Sequence, residues 1–258
     1  MANNKWYRVF TKKNNPYLKK SLDILHKKGG ENFKITSYEL SKVVWKSNKS
    51  FFLDFVNFIN KKISFIIEKK KKFSIGEYGS GNGFILYYFS KKFKINDIFS
   101  FEISKDYLNF QKKLIGIGKF FFVKPKNHKI KLKASSVDIF LISSLFQYLS
   151  SYKQAKKLIN ECIRISTYRI LILDIYDEMQ KRKYEEKKLR EFNLNQNQFK
   201  KKYRNLPYRF YKKKFFDYLK NNKKVKKFFF VKMPKTWKYK QYSFCLIIDL
   251  KKTDINNL

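Results

Sequence analysis

Apolar residues recur at two different spacings along the chain, and the change falls near residue 70. Before it, apolar positions recur at three- and four-residue steps and form one helical face, which comprises Phe52, Phe55, Val56, Ile59, Ile63, Ile66 and Ile67. After it, short continuous apolar runs alternate with helical stretches. We therefore expect two units, an N-terminal helical extension or cap over residues 1–70 and an α/β domain over residues 71–258.

The apolar runs of the second unit predict the strands of a sheet. They cover residues 72–78, 97–103, 119–123, 137–143 and 168–176, and helical stretches separate most of them. Runs that are apolar on both faces are typical of parallel strands buried between helices. The clearest helix is predicted over residues 152–166, with an apolar stripe made of Ala155, Leu158, Ile159, Cys162 and Ile163.

The C-terminal end of the chain follows a different rule. Two strand-like runs, "VKKFFFVKM" and "YSFCLIIDLKK", are separated only by "PKTWKYKQ". A parallel crossover needs about a dozen residues or more, so a connection this short indicates an antiparallel pair. The predicted fold is a mostly parallel α/β sheet that ends in an antiparallel hairpin.

Composition is compatible with one large domain or with one domain that carries an appendage. The chain has 258 residues, 43% of them hydrophobic, which is enough for a sizeable core. Cys162 and Cys245 lie far apart in apolar stretches, so we expect buried thiols and neither a disulfide nor a metal site. No run has the length and apolarity of a membrane span or a signal peptide, and the expected location is cytoplasmic.

The formal net charge of +40 would ordinarily indicate a nucleic acid partner. Nearly all of it is lysine, however, and only seven arginines are present, although arginine is the residue best suited to bidentate phosphate and base contacts. The enrichment in Lys, Asn, Ile, Phe and Tyr follows A/T-rich codons. We therefore interpret most of the charge as a solvated surface that reflects genome composition, with nonspecific anion binding at low salt.

Half of the eight glycines fall in one stretch, "GEYGSGNG", between a predicted strand and a predicted helix. Ligands of open α/β sheets bind at such turns, where glycine permits left-handed backbone and close approach. The alternative is a tight turn without a ligand. A dinucleotide fingerprint would need glycine where Phe84 stands, and no Gly-Lys-Ser/Thr follows for a phosphate loop. Glu77 would disfavour a pyrophosphate and suits a ligand with a positive amine.

The segment "EYGSGNG" resembles the first motif of the class I S-adenosylmethionine-dependent methyltransferases, and Glu102 resembles the acidic residue that ends their second strand. The resemblance covers residues 73–250 and implies a Rossmann-like, seven-stranded sheet with S-adenosylmethionine as cofactor. The cofactor-binding residues that it implies are Glu77, Gly79, Ser80, Gly81, Asn82, Gly83, Glu102, Ile103 and Ser144. The adenine contacts beyond Ile103 stay unassigned, because the segment after the third strand offers no obvious acidic or polar residue.

Methyl transfer from a sulfonium needs an aligned acceptor and, for a hydroxyl or amine, a general base. Candidates at the ends of the fourth and fifth strands are Asp174 and Tyr148 foremost, then Gln147, Tyr176 and Asp177. Burial at a strand end would raise the pKa of Asp174, while a loop-orienting role for Asp174 and a packing role for Tyr148 are the alternatives. His26 and His128 are expected at the surface.

The acceptor pocket is expected between the N-terminal helices and a helical insertion near residues 178–210. The alternative for that insertion is a solvent-exposed helix. Its aromatic residues Tyr203, Tyr208, Phe210 and Tyr211 would line the pocket or pack.

These features predict methyl transfer to an oxygen or nitrogen of a small molecule or saccharide. Motifs of enzymes that methylate base amines or cytosine carbon are absent, since no proline follows the fourth strand and neither cysteine follows a proline. An RNA methyltransferase that docks through its lysines and a noncatalytic interaction protein on the same scaffold remain alternatives. The sequence leaves the acceptor and the oligomeric state open.

Overall fold

The computed structural model describes residues 15–28, 33–45, 48–124, 129–203 and 208–251. Three helices precede the sheet, namely α1 (Pro16–Lys28), α2 (Phe33–Trp45) and α3 (Lys49–Lys69). The Asn48 side chain caps α3 by accepting a hydrogen bond from the Phe51 amide at 2.8 Å. Six of the seven residues predicted to form the apolar face of α3 are buried, and Ile67 is half-buried. The helical prediction is confirmed for the described part of this region.

Seven strands form one sheet in the order β3-β2-β1-β4-β5-β7-β6. They are β1 (Phe73–Tyr78), β2 (Ile95–Glu102), β3 (Lys119–Phe122), β4 (Val137–Ser143), β5 (Ser166–Tyr176), β6 (Val225–Lys232) and β7 (Ser243–Leu250). The first five pair in parallel, whereas β7 runs antiparallel to both β5 and β6. This confirms the predicted Rossmann-like sheet and its antiparallel hairpin, with β5 beginning two residues earlier than its predicted run.

Helices connect the strands and cover the sheet. They are α4 (Phe84–Lys92), α5 (Lys105–Ile115), α6 (Tyr152–Ile165), α7 (Lys181–Phe192) and α8 (Gln196–Tyr203). The last two occupy the region of the predicted insertion. A 3-10 segment over Lys213–Asn221, which the sequence pattern did not predict, buries Phe216 and Leu219.

Two apolar cores lie on the two faces of the sheet. Helices α3, α4 and α5 pack on the face that presents Ile139 and Leu141. Helix α6 and the 3-10 segment pack on the face that presents Phe140 and Ile142. Because α3 shares a core with β1, the N-terminal helices are layered directly on the sheet. The domain boundary at residue 70 stays a prediction.

Both cysteines are buried free thiols, as expected. His26 is exposed, as expected, whereas His128 lies outside the described residues. None of the helices that the structure describes combines the length and apolarity required to cross a membrane.

The sheet has two chemically different ends. At the amino end of the parallel strands, Asp138 accepts hydrogen bonds from the Ser74 amide and from Lys70 Nζ, each at 2.8 Å. At the same end Arg169 Nε donates to Asp249 Oδ1 at 2.5 Å. At the carboxyl end, the strand order reverses between β1 and β4, which is where open α/β sheets bind ligands.

Candidate functional site

The glycine stretch forms the turn between β1 and α4. Gly79, Gly81 and Gly83 all have left-handed backbone, with φ of +74°, +54° and +72°. Only glycine adopts this region without a Cβ penalty, which explains why the chain concentrates its glycines here. The Gly79 amide donates to the Phe101 carbonyl at 2.7 Å, and the Gly83 amide donates to the Ser80 carbonyl at 2.8 Å. The turn is thereby fixed to the end of β2.

Gln111 on α5 fastens the glycine turn from the side. Its Nε2 donates to the Gly81 carbonyl at 2.6 Å and to Ser80 Oγ at 2.9 Å, and its Oε1 accepts from Ser100 Oγ. A Cβ at Gly83 would lie 2.7 Å from Gln111 Cγ, so the third glycine is also a packing requirement. Sequence reasoning missed Gln111, although a glutamine on the apolar stripe of α5 was an available signal.

Glu102 ends β2 beside the turn, and three backbone amides solvate its carboxylate. Oε2 accepts from Gly81 at 2.8 Å, while Oε1 accepts from Ile103 at 2.8 Å and from Ser104 at 3.1 Å. Burial raises the pKa of Glu102, and these amide bonds oppose the rise. The structure therefore brings Glu102, Ile103 and Gly81 together, as the sequence predicted.

Glu77 lies inside β1 and is only 2% exposed. Its Oε2 has no hydrogen-bond partner among the described residues. Burial, followed by the charge of Glu102, raises the pKa of Glu77 well above its usual value. A buried carboxylate oxygen without a partner provides an acceptor for a cationic donor.

Two predicted cofactor residues use their side chains within the protein. Asn82 Nδ2 donates to the Leu40 carbonyl of α2 at 3.0 Å and to Ser21 Oγ of α1 at 3.2 Å. Ser80 Oγ lies 2.7 Å from Ser100 Oγ. The roles predicted for Ser80 and Asn82 toward a ligand stay predictions, and with their side chains engaged in these contacts they would use backbone groups.

Ser144 and Asp174 meet at the ends of β4 and β5. Both are non-glycine residues with left-handed backbone, at φ of +49° and +60°, a conformation that costs energy and clusters at functional sites. Ser144 Oγ donates to Asp174 Oδ2 at 3.0 Å, and Trp237 Nε1 donates to Asp174 Oδ1 at 3.1 Å. Asp174 is 4% exposed, and burial raises its pKa to about 6 against the opposing effect of hydrogen bonds with Ser243, Ser144 and Trp237.

The other candidates after β4 and β5 have distinct positions. Gln147 is buried, and its Nε2 donates to the Ser144 carbonyl at 3.0 Å. Burial, then the neighbouring Tyr208 and Asp174, raises the pKa of Tyr148, so its phenol stays protonated. Asp177 Oδ1 accepts from the Met179 amide at 3.0 Å, as a cap of the turn before α7.

Ser144, Asp174, Gln147 and Tyr148, but not Asp177, line one cleft of about 630 Å³, called the acceptor cleft below. Its lining residues are Tyr17, Asn48, Phe51, Ser144, Gln147, Tyr148, Asp174, Tyr176, Tyr184, Lys188, Glu191, Phe192, Tyr208, Thr236, Trp237, Lys238 and Tyr239. Helix α7 contributes four of them and buries Tyr184 and Lys188, so it is not a wholly solvent-exposed helix. Phe210 and Tyr211 are buried in packing, and of the predicted aromatic cluster only Tyr208 lines the cleft among the described side chains.

Known proteins with a similar sequence segment or a similar fold are methyltransferases. Residues 76–168 match the family model described as a methyltransferase domain. The magnesium protoporphyrin IX methyltransferase of Synechocystis PCC 6803 with bound SAH has a TM-score of 0.54 at 8% identity, over 90% of this chain and 100% of that chain. The same enzyme with bound SAM has a TM-score of 0.51 at 8% identity, over 90% and 97%. No curated protein matches by sequence. Residues 76–168 are thus similar to a methyltransferase domain, and the chain has the Rossmann-like fold of the class I S-adenosylmethionine-dependent methyltransferases.

Proposed function

We propose that the protein transfers the methyl group of S-adenosylmethionine to an oxygen or nitrogen atom of a small molecule or saccharide bound in the acceptor cleft. The observation that carries this proposal is that the glycine turn and the acceptor cleft adjoin. A Cβ added at Gly79 would lie 3.0 Å from Leu145 Cδ1, and Leu145 directly follows Ser144 of the cleft. A cofactor on the turn and an acceptor in the cleft would therefore meet.

The chain provides matching groups for each part of the cofactor. The partnerless Oε2 of Glu77 suits an ammonium group, and Glu102 suits the vicinal hydroxyls of a ribose through charge-assisted hydrogen bonds. The glycine turn permits close approach, with Ile103 and Ser144 beside it. When bound, S-adenosylmethionine supplies an activated methyl group on a sulfonium.

Asp174 is the group we propose for receiving the acceptor's proton. With a pKa of about 6 it is ionised near neutral pH and only weakly acidic, which suits a general base. Tyr148, with its raised pKa, is proposed to position the acceptor as a protonated phenol. Ser144 and Trp237 hold the Asp174 carboxylate in one orientation.

Calorimetric titration of S-adenosylmethionine and its demethylated product tests the cofactor assignment. We expect micromolar-range binding, weakened at least about tenfold in Glu102→Gln because charge-assisted bonds contribute about 1.5–3 kcal/mol. The matched control is Asp97→Asn on the same strand, where an exposed carboxylate pairs with Lys119 at 3.2 Å. Absence of binding by folded wild-type protein, or equal losses in the two variants, would contradict the proposal.

A further inference from the structure

The acceptor cleft has an unusual lining. Among the residues that the structure describes, nine of the seventeen that line the cleft are aromatic, whereas 19% of the whole chain is aromatic. None of these seventeen has an aliphatic side chain, although isoleucine and leucine fill both cores of the sheet. Aromatic rings favour other rings through offset-stacked and edge-to-face contacts. The lining therefore favours a planar, unsaturated ligand over an aliphatic one.

The aromatic wall is built by contacts from several elements. Tyr208 lies 5.9 Å from Tyr148 and 5.7 Å from Tyr176, measured between ring centroids. On another element, Trp237 packs on Phe51 at 4.7 Å. These rings are held in place by their neighbours, so little side-chain entropy remains to be lost when a ligand binds.

The inner end of the cleft presents hydrogen-bond acceptors. Gln147 is 1% exposed, and its Oε1 has no hydrogen-bond partner among the described residues. Because its Nε2 donates to the Ser144 carbonyl, the orientation of the amide is fixed and Oε1 stays an acceptor. Next to it, the hydroxyl of Ser144 and the indole N–H of Trp237 are both engaged by Asp174. A ligand group placed here must therefore be a hydrogen-bond donor.

The mouth of the cleft is charged, and its lysines are only partly compensated by one carboxylate. Lys188 Nζ lies 3.2 Å from Glu191 Oε2 and 4.3 Å from the Tyr239 ring centroid. Lys238 Nζ lies 2.9 Å from Glu191 Oε1. The two lysines share one carboxylate, which leaves a net charge of +1 among these three side chains, whereas the inner end presents hydrogen-bond acceptors.

We propose that the acceptor is a planar aromatic molecule whose buried end carries a hydroxyl or amine, and not a carboxylate. This inference rests on the proposed methyl transfer and names its substrate class. The acceptor's O–H or N–H donates to Asp174 or Gln147. As the acceptor atom forms its bond to the methyl carbon, the electron pair of the sulfur–methyl bond stays on sulfur and the proton passes to Asp174.

Four probes of related size separate the parts of this inference by calorimetry with the full chain at pH 8. 2-Naphthol has both the rings and the donor, 2-naphthoate replaces the donor with a carboxylate, and trans-decahydro-2-naphthol keeps the hydroxyl without aromatic rings. Methyl glucopyranoside represents a saccharide. We expect 2-naphthol to bind at least about tenfold more tightly than each of the other three. Equal or tighter binding of either saturated probe would overturn the aromatic class, and equal or tighter binding of 2-naphthoate would overturn the donor requirement.

A variant and a parallel titration make the test specific. Gln147→Met keeps the side-chain length and removes the acceptor, so 2-naphthol affinity should fall about five- to tenfold. Unchanged affinity would overturn the role of Gln147.

Titration of the demethylated cofactor product into the same protein distinguishes the two proposals. If that product binds and 2-naphthol does not, the substrate class is wrong and methyl transfer is unaffected; if neither binds, methyl transfer is contradicted as well.

Discussion

The two ends of the sheet treat buried carboxylates in opposite ways. At the amino end, Asp138 pairs with Lys70 and Asp249 pairs with Arg169. At the carboxyl end, Glu77, Glu102 and Asp174 are at most 4% exposed and form no ion pair with any described residue. Burial raises the pKa of all three. The chain has 60 basic residues, so this lack of partners is not a shortage of cations.

The difference indicates what each end is selected for. When a buried carboxylate is paired with a cation and backbone donors, removing either partner leaves the other group uncompensated and destabilises the fold. A buried carboxylate without a cation costs stability at neutral pH and clusters at functional sites. The carboxylates of the amino end therefore hold the end of α3 and the strands together, and those of the carboxyl end lack a cation of the protein and can interact with a ligand.

The largest effect is expected at the amino end. Asp138→Ala removes the partner of Lys70 and leaves the buried Ser74 amide without its acceptor. We expect the free energy of unfolding to fall by about 2–4 kcal/mol, because the buried Ser74 amide loses its acceptor, while Lys70 is 35% exposed and can be hydrated. Urea denaturation at pH 7.5 measures it. A loss below about 1 kcal/mol would mean that this end is no more firmly held than a surface pair.

Removing a buried carboxylate at the carboxyl end should raise the free energy of unfolding, the opposite of the effect at the amino end. The pKa of Asp174 rises from 3.8 to about 6 on folding, so its charge costs nothing below pH 3.8 and up to about 3 kcal/mol above pH 6. Asp174→Asn should therefore stabilise the protein at pH 7.5 and lose this advantage as the pH falls toward 4. Turnover should drop at least about 100-fold.

Asp249→Asn is the control for that reversal, since Asp249 pairs with Arg169 at 2.5 Å. We expect it to destabilise the protein at pH 7.5. Denaturation curves at pH 4.5 and 7.5 for both variants decide the matter. If both variants shift stability in the same direction at pH 7.5, the contrast between the two ends is wrong.

Two glycines with positive φ, one at each end of the sheet, allow the two ends to be compared by the stability cost of adding a Cβ. Gly83→Ala adds both left-handed strain and a 2.7 Å contact with Gln111, whereas Gly116→Ala adds the strain in open space at the amino end of β3. We expect losses of about 2–4 kcal/mol for the first and about 1–2 kcal/mol for the second, measured by urea denaturation. Equal losses would show that Gln111 yields without cost.

The smallest effect concerns protons and not stability. Because burial raises the pKa of Glu77, a cationic group bound beside it should lower that pKa again and so release protons from the protein. Calorimetry of S-adenosylmethionine in buffers of different ionisation enthalpy measures this release. In Glu77→Gln the binding enthalpy should no longer depend on the buffer; a dependence that persisted would assign the proton to another group.

Patterns local in sequence predicted most of the fold. Apolar runs gave all seven strands, most clearly β1, β4 and β7, which are buried on both faces and therefore need continuous apolar residues. The glycine spacing located the turn, because left-handed backbone restricts the residue type. The left-handed backbone of Ser144 and Asp174 was not predictable, because serine and aspartate, unlike glycine, do not mark that conformation in a sequence. The contact between their side chains forms only when the chain folds.

The site residues that the sequence did not reveal are those whose role depends on distant partners. Trp237 reaches Asp174 across 63 residues of chain, and Gln111 reaches Gly81 across 30. Nothing in the spacing of either residue encodes that partner. The roles of Asp174 and Tyr148 in chemistry remain predictions, as do the cofactor contacts.

The two hydrogen bonds of Asn82 have a thermodynamic consequence. They attach the glycine turn to α1 and α2, so undocking these helices would release the turn that we propose for the cofactor. The apparent affinity of any ligand on the turn is then the intrinsic affinity multiplied by the fraction of molecules with the helices docked. Conversely, a ligand that binds only the docked state raises that fraction, which approaches one at saturation. The N-terminal helices and the turn thus form one linked equilibrium, in which residues that never touch the ligand set part of its occupancy.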